Sequence, residues 1–221
     1  MKFRTPATLA TTAVLALGAA ACGNDEESPS VASGQSQAQP EPVAQIDRLT
    51  GRSTAVTLDG GFVEALTTLK LTPSPLGDAK ISAKGVATFP ITGGNVTYYK
   101  PGAVSPYVQG EIMHDGSGLQ LEGGGKTVRL TDFVVDPGAS VLTGKVTVDG
   151  EVAAESTPLF FLDGRTLNPL EAKDDGTAVL EGTTVKFKDE SAQLLNDTFG
   201  VDALEGGLVV GVAKITVNTG A

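Results

Sequence analysis

The sequence is poor in the residues that most often build catalytic and metal sites. Its 221 residues include one histidine, one cysteine, three tyrosines and no tryptophan. A single cysteine cannot form a disulfide within the chain, and one histidine with one cysteine cannot supply the nitrogen and sulfur ligands of a zinc site. Because aromatic residues make up only 5% of the chain, a sugar-binding platform of stacked rings is also poorly supported. We expect no metal site.

Sequence motifs of catalysis are missing as well. Any Ser-His-acid triad would have to use His114, and its neighbours Asp115 and Ser117 are too close in sequence to join it in one. Neither a G-x-S-x-G elbow nor an H-E-x-x-H motif occurs. The adjacent carboxylates Asp174 and Asp175 lie in EAKDDGTA, which is typical of a solvated turn. We therefore expect that the protein is not an enzyme.

The N-terminus carries the strongest signal of location. Residues 1–21 have two cations, Lys2 and Arg4, followed by a short apolar run that ends in small residues, as in a secretory signal peptide. The sequence GAAAC around Cys22 resembles the lipobox of bacterial lipoproteins, which implies a diacylglyceryl group on the Cys22 sulfur. The alternative is a stray thiol beside an ordinary signal-peptide cleavage site. We expect a lipoprotein at the outer face of the cytoplasmic membrane, in the cell envelope.

Composition divides the rest of the chain into a tether and one domain. Residues 22–47 are rich in Ser, Gln, Pro and acidic residues and contain no aromatic residue, so a disordered tether is predicted. Residues 48–219 are long enough for one domain with a sizeable core. Loss of Lys2 and Arg4 from the 16 basic residues leaves 14 against 26 acidic residues, so the mature chain is more acidic than the net charge of −10 for the whole sequence. Such a surface argues against nucleic acid as a partner.

Hydrophobic alternation predicts an all-β domain, an antiparallel β-sandwich of about ten short strands and two short amphipathic helices. The helices are expected within 60–71 and 189–201, the second capped by Asp189 and closed by Gly200. The predicted strands are 54–58, 85–91, 108–113, 119–121, 127–135, 141–148, 157–162, 178–181, 184–187 and 209–217.

Two local features refine this prediction. In 127–135 the apolar positions change from even to odd numbers, which predicts a bulge at Asp132. The stretch GEIMHDGSGLQL at 110–121 is expected to be a hairpin whose turn contains His114. On this interpretation His114 is a polar residue beside a turn.

Four stretches resemble the HtaA-type domains of actinobacterial surface proteins, some of which bind haem. They are VATFPITGGNV (86–96), GEIMHDGSGLQLEGGGKTVRLTDFVVD (110–136), TPLFFLDG (157–164) and LLNDTFGVDALEGGLVVGVAKITV (194–217). They occur in the order found in the family and span most of the domain. The resemblance implies a β-sandwich with short helices, in agreement with the periodicity.

The resemblance also implies a candidate haem site. In haem-binding members a tyrosinate holds the iron and a histidine supports that tyrosine, and His114 is where that histidine would be expected. The segment 60–73, where the tyrosine would be expected, has none. Tyr98, Tyr99 and Tyr107, clustered in what reads as a Pro/Gly-rich loop, are the remaining candidates. Two functions stay open: an envelope domain without a cofactor that binds a ligand or a protein partner, and a haem-binding surface protein.

Overall fold

The computed structural model describes residues 40–220, so the predicted signal peptide, Cys22 and most of the predicted tether lie outside the described residues. Within these described residues, thirteen antiparallel strands form one curled sheet, and two α-helices pack against it. The strands are β1 (Ala44–Ile46), β2 (Arg52–Leu58), β3 (Thr72–Gly77), β4 (Lys80–Ile81), β5 (Val86–Pro90), β6 (Gly93–Tyr98), β7 (Val108–Gly123), β8 (Lys126–Asp136), β9 (Val141–Val148), β10 (Glu151–Asp163), β11 (Glu171–Lys173), β12 (Thr177–Phe187) and β13 (Val209–Asn218). The helices are α1 (Gly60–Thr68) and α2 (Asp189–Phe199).

The sheet curls because the short link between β5 and β6 joins strands that lie near opposite ends of the strand order. The two halves of the sheet are the strands on either side of the middle of that order. The strand order is β1-β6-β7-β8-β9-β10-β12-β13-β2-β5-β4, with β3 added to β7 and β11 added to β12. β5 pairs with β2, whereas β6, which follows β5 after only two intervening residues, pairs with β7. The Thr92 amide between them donates to the Met113 carbonyl at 2.9 Å. The two halves thus face each other, and the predicted all-β sandwich is confirmed.

The sheet begins earlier than the sequence suggested. β1 pairs with β6 through Ala44↔Tyr98 and Ile46↔Val96. The last residues of the segment 22–47 that was predicted to be a tether therefore belong to the sheet, and the predicted domain start at residue 48 is too late. The polar composition of the segment hid this strand because only three residues of it pair.

The predicted hairpin at 110–121 is wrong, since β7 runs through it as one strand. Its first half pairs with β6 and its second half with β3, while β8 pairs with both halves on the other side. The turn-like residues instead form a bulge, in which three residues of β7 between His114 and Gly118 oppose one residue of β8, Asp132. The Gly116 amide donates to the Asp132 carboxylate at 2.9 Å.

The bulge predicted at Asp132 is confirmed. The register of β8 with β9 shifts between Thr131 and Val134, and Asp132 has a φ of 53°. Bulges bend a strand, and those of β7 and β8 lie opposite each other. Gly118 lies beside them, and a Cβ atom on it would lie 2.1 Å from the Leu130 carbonyl oxygen.

Both predicted helices are present, with one change at a cap. Asp59 caps α1, since its carboxylate accepts from the Gly61 amide at 2.8 Å. The N-cap of α2 is Lys188, which makes no side-chain cap, and Asp189 is the first helical residue. Gly200 ends α2 in the left-handed conformation at φ 66°, as expected. No helix within residues 40–220 has the length and apolar character needed to cross a membrane.

Candidate functional site

A cavity of about 800 Å³ lies between the two halves of the curled sheet. Its walls are the inward-facing side chains of most strands, and these are mainly aliphatic. Alternate residues of β2, which are Thr54, Val56 and Leu58, line this space, and inward-facing residues of the neighbouring strands line it as well. Representative wall residues are Val56, Leu58, Leu142, Leu180 and Ile215.

These wall residues are only half-buried although they point into the protein. In a filled sandwich the inner faces of the two sheets interdigitate and exclude water. Here the remaining exposed area of residues such as Val56 and Ile215 faces the cavity. The interior therefore has room for a further apolar group.

His114 lies in the wall of this cavity and is 1% exposed. Its Nδ1 lies 2.8 Å from the carbonyl oxygen of Pro90 in β5. Because a carbonyl oxygen only accepts, Nδ1 carries the proton in the neutral ring, and Nε2 is left as an acceptor. The Thr54 hydroxyl, 3.2 Å from Nε2, then donates to it. Both ring nitrogens are thus committed to the protein.

The charge of His114 follows from this environment. Burial lowers the pKa of His114, while the hydrogen bond to Pro90 and the nearby Asp115 carboxylate act in the opposite direction. The ring is therefore neutral near pH 7. Its role is to tie β7 to β5 and β2 across the closure of the sheet, and not to flank a turn as the sequence suggested.

The neighbours of His114 do not complete a catalytic triad. The Ser117 hydroxyl donates to the backbone carbonyl of His114 at 3.1 Å, away from the imidazole. The Asp115 carboxylate accepts from the Thr92 hydroxyl at 3.2 Å at an exposed position. Neither side chain hydrogen bonds to the ring, so the nucleophile-base-acid geometry that the chemistry needs is missing here.

The three candidate tyrosines occupy two different places. Tyr98 is buried on β6, where the sequence suggested a loop, and its ring packs edge-on against Tyr107 with centroids 5.8 Å apart. Both rings line the cavity, whereas Tyr99 does not. Tyr98 pairs with Val108, so about 20 Å of β7 separates this level from His114 at ~3.4 Å per residue. The histidine cannot support either tyrosine directly.

His114 does not offer a free ligand for an axially bound haem iron. An iron ligand needs a lone pair aimed into the cavity, but Nε2 of His114 accepts from Thr54. Burial and the neighbouring Tyr98 raise the pKa of Tyr107, so its hydroxyl is protonated near pH 7. Within residues 40–220 no three side chains of the His, Cys, Asp and Glu types are grouped to hold a metal ion. The segment expected to supply the tyrosine instead forms α1, whose Phe62 and Leu66 pack into the core.

A charged cluster lies in the cavity wall at the end of β10. The Asp163 carboxylate accepts from Arg165 at 2.6 Å and from Lys186 at 2.8 Å. These two cations hold the pKa of Asp163 well below its usual range, with Arg165 the stronger influence. Asp163 and Arg165 line the cavity, and the Arg165 side chain is 81% exposed. The cluster thus forms a charged part of the rim.

Sequence reasoning missed both the cavity and this cluster. Alternation along a strand indicates which residues share a face, but not whether the opposite half of the sheet fills the space beside them. The sequence FLDGRT does contain a signal for the cluster, because Asp163 caps the short 3-10 helix Gly164–Thr166 that returns Arg165 towards it. Thr54 gave no signal as the partner of His114, since 60 residues separate them.

Comparison with known proteins supports the fold. No protein-family model and no curated protein matches the sequence. The C-terminal domain of HtaA from Corynebacterium glutamicum has a similar structure, with 13% identity, a TM-score of 0.56, and 78% of this chain and 99% of that domain covered. A domain-swapped dimer of a histidine-to-alanine variant of that domain is also similar, with 11% identity, a TM-score of 0.45, and 73% and 94% coverage. The first of these two similarities shows that the protein has the fold of an HtaA-type domain, the family that its sequence resembles.

Proposed function

We propose that this protein is an envelope lipoprotein whose domain binds a small apolar ligand without catalysis. A lipid on Cys22 would hold it at the outer face of the cytoplasmic membrane, and residues 22–43 would link that anchor to the sheet. The observation that carries the binding function is the cavity of about 800 Å³ between the sheet halves. Ligand sites are concave, mostly apolar and roughly 300 to 1,000 Å³ in volume.

A purely structural role explains the cavity less well. Empty apolar space lowers stability, since its lining loses packing contacts and burial. Small inward side chains such as Ala87, Ala178 and Ala213 help to keep the space open. A domain that only supported other proteins would be more stable with larger residues there, whereas a binding domain needs the space.

Haem is the alternative function, suggested by the family resemblance. The cavity supports it poorly, because His114 is engaged on both ring nitrogens and Tyr98 and Tyr107 lie at another level. We expect a haem titration of the mature chain to give no sharp Soret band. A sharp band that disappears in a Tyr107→Phe variant would instead favour haem.

Filling the cavity tests the binding function. Val56 is half-buried on the cavity wall, and Thr57 is the next residue of β2 on the exposed face. Val56→Phe would place a ring in the ligand space, while Thr57→Phe adds the same ring outside. The mature chain, residues 22–221 with Cys22→Ser, is titrated with the neutral apolar dye N-phenylnaphthylamine. Because the chain has no tryptophan, its own fluorescence does not obscure the dye.

We expect saturable dye binding to the parent chain and to Thr57→Phe, and at least a tenfold loss of affinity in Val56→Phe. Circular dichroism of each variant establishes that it is folded. If Val56→Phe does not fold, Ile215→Phe places the ring elsewhere on the same wall and replaces it. Absence of saturable binding to the parent chain, or equal binding to all folded variants, would contradict the proposal.

A further inference from the structure

The cavity combines an apolar interior with one charged group at its wall, and this restricts the ligand. In the interior, the polar side chains of His114 and Thr54 are hydrogen bonded to each other. Among residues 40–220, no buried side-chain nitrogen or oxygen lacks a hydrogen-bond partner. A ligand with polar groups in its buried part would leave them unpaired at a cost of a few kcal/mol each. Because most of the lining side chains are aliphatic or aromatic, the buried part of the ligand is expected to be mainly hydrocarbon.

The charges at the rim distinguish between possible head groups. Both oxygens of the Asp163 carboxylate already accept from Arg165, and one of them also from Lys186. A cationic head group would find no carboxylate oxygen that is not already hydrogen bonded. The cluster of one acid and two bases instead carries one surplus positive charge, although the chain as a whole is strongly acidic.

Arg165 can take a further partner. Its guanidinium has five N–H groups, and its bonds to Asp163 use Nε and one hydrogen of Nη2. The side chain is 81% exposed, and the residue lines the cavity. Three N–H groups are thus left to donate to a carboxylate or phosphate oxygen at the rim, the geometry that arginine prefers.

We propose that the ligand is an anionic single-chain lipid, with its hydrocarbon chain in the cavity and its carboxylate or phosphate at Arg165. This rests on the proposed function, since it names the ligand class of the same cavity. The chain enters past the rim and packs along Val56 and Ile215. Asp163 and Lys186 act as positioning residues, because their ion pairs hold the guanidinium at the rim.

The test separates the chain from the head group. Alkanoates, alkyl phosphates and alkanols of matched lengths, from octyl to hexadecyl, compete for N-phenylnaphthylamine bound to the mature Cys22→Ser chain. We expect affinity to rise about fourfold with each methylene until the cavity is full. Alkanoates and alkyl phosphates should bind about fivefold more tightly than alkanols, the upper range for an exposed ion pair. Which of the two anions binds more tightly identifies the head group.

Arg165→Gln provides the residue-specific arm. We expect it to remove the preference for anions over alkanols while alkanol affinity stays unchanged. Arg129→Gln is the matched control, because Arg129 is exposed, donates to Gln120 and does not line the cavity. High salt should weaken anion binding in the parent chain and leave alkanol binding in place.

The failures are distinguishable. Alkanols that bind as tightly as the anions, with the same dependence on chain length, would overturn the head-group assignment and leave the proposed function standing. Failure of every amphiphile and of the dye to bind would overturn both. A preference for anions that persists in Arg165→Gln would also overturn the proposal that the head group binds to Arg165.

Discussion

Because His114 is buried, it should make the stability of the folded protein depend on pH. Its pKa is lowered in the folded protein, mainly by burial, so the folded ring stays neutral at pH values where the unfolded ring takes up a proton. Below the ordinary histidine value of about 6.5, the unfolded state therefore binds more protons. The free energy of unfolding must then fall as the pH decreases through that value, and the stability is fully present above it.

The loss of unfolding free energy on acidification has an upper bound. If the folded ring remained neutral throughout, acidification from pH 7.5 to 5.5 would cost at most about 1.4 kcal/mol. The hydrogen bond to Pro90 and the Asp115 carboxylate reduce this loss. In His114→Gln the contribution disappears, while the carboxylates titrate as in the parent chain. The difference between the two pH profiles isolates the imidazole, because His114 is the only histidine of the chain.

Urea unfolding followed by circular dichroism measures this difference. We expect the parent chain to lose stability relative to His114→Gln between pH 7 and pH 5.5. The imidazole resonances in an NMR titration should remain those of a neutral ring with the proton on Nδ1 below pH 6.5. Parallel pH profiles of the two proteins, or an imidazole that titrates above 6.5, would refute the reasoning.

Three further substitutions test the fold and the anchor. Thr54→Val removes the donor to the buried imidazole and should cost about 1–3 kcal/mol of unfolding free energy in urea, whereas Thr57→Val on the exposed face should change it by less than ~0.5 kcal/mol. Gly118→Ala forces a methyl group into the backbone of β8 and should lower the free energy of unfolding by about 1–3 kcal/mol or more. In the control Gly60→Ala the new methyl group meets open space, so the free energy of unfolding should not fall. Equal losses in the two variants would contradict the close approach of β8 to Gly118. Cys22→Ser should move the protein from the membrane fraction to the soluble fraction, and its full recovery with membranes would contradict lipid anchoring.

Local sequence signals were sufficient to predict those parts of the fold that depend on interactions between residues close in sequence. The alternation over 141–148 predicted β9 with its observed bounds. The change of parity around Asp132 located a bulge, because the side chains of a strand can change faces only where an extra residue is inserted. Gly200 ends α2 as predicted, because the left-handed conformation that closes a helix favours glycine locally.

The signals failed where distant strands decide the outcome. HDGSG in 114–118 has the composition of a turn, yet β8 pairs with the residues on both sides of it and holds β7 in one strand. β3 contains Pro73 and Pro75, which argue against a strand, but it pairs on only one side, where missing amide donors are tolerated. Gly93 and Gly94 interrupt the apolar alternation that would mark β6 as a strand. Gly94 is nevertheless needed there, because the Glu111 carbonyl approaches so closely that a Cβ atom would not fit.

The cavity could not be predicted for a related reason. Alternation in β2 identifies Val56 and Leu58 as inward-facing, but the volume between them and the opposite half depends on the curvature of the whole sheet. That curvature arises at the β5–β6 crossing and at the bulges of β7 and β8. Similarly, the sequence placed His114 beside a turn, whereas its partners Thr54 and Pro90 tie it to two strands that are distant in sequence.

The central claim is that the cavity between the sheet halves holds an apolar ligand. The most direct measurement is the set of NMR nuclear Overhauser effects between isotope-labelled hexadecanoate and the methyl groups of the mature Cys22→Ser chain. We expect contacts from the hydrocarbon chain to Val56 and Ile215, which face the cavity. Contacts confined to Val152 and Val212, which are 49% and 42% exposed on the outside, would contradict it.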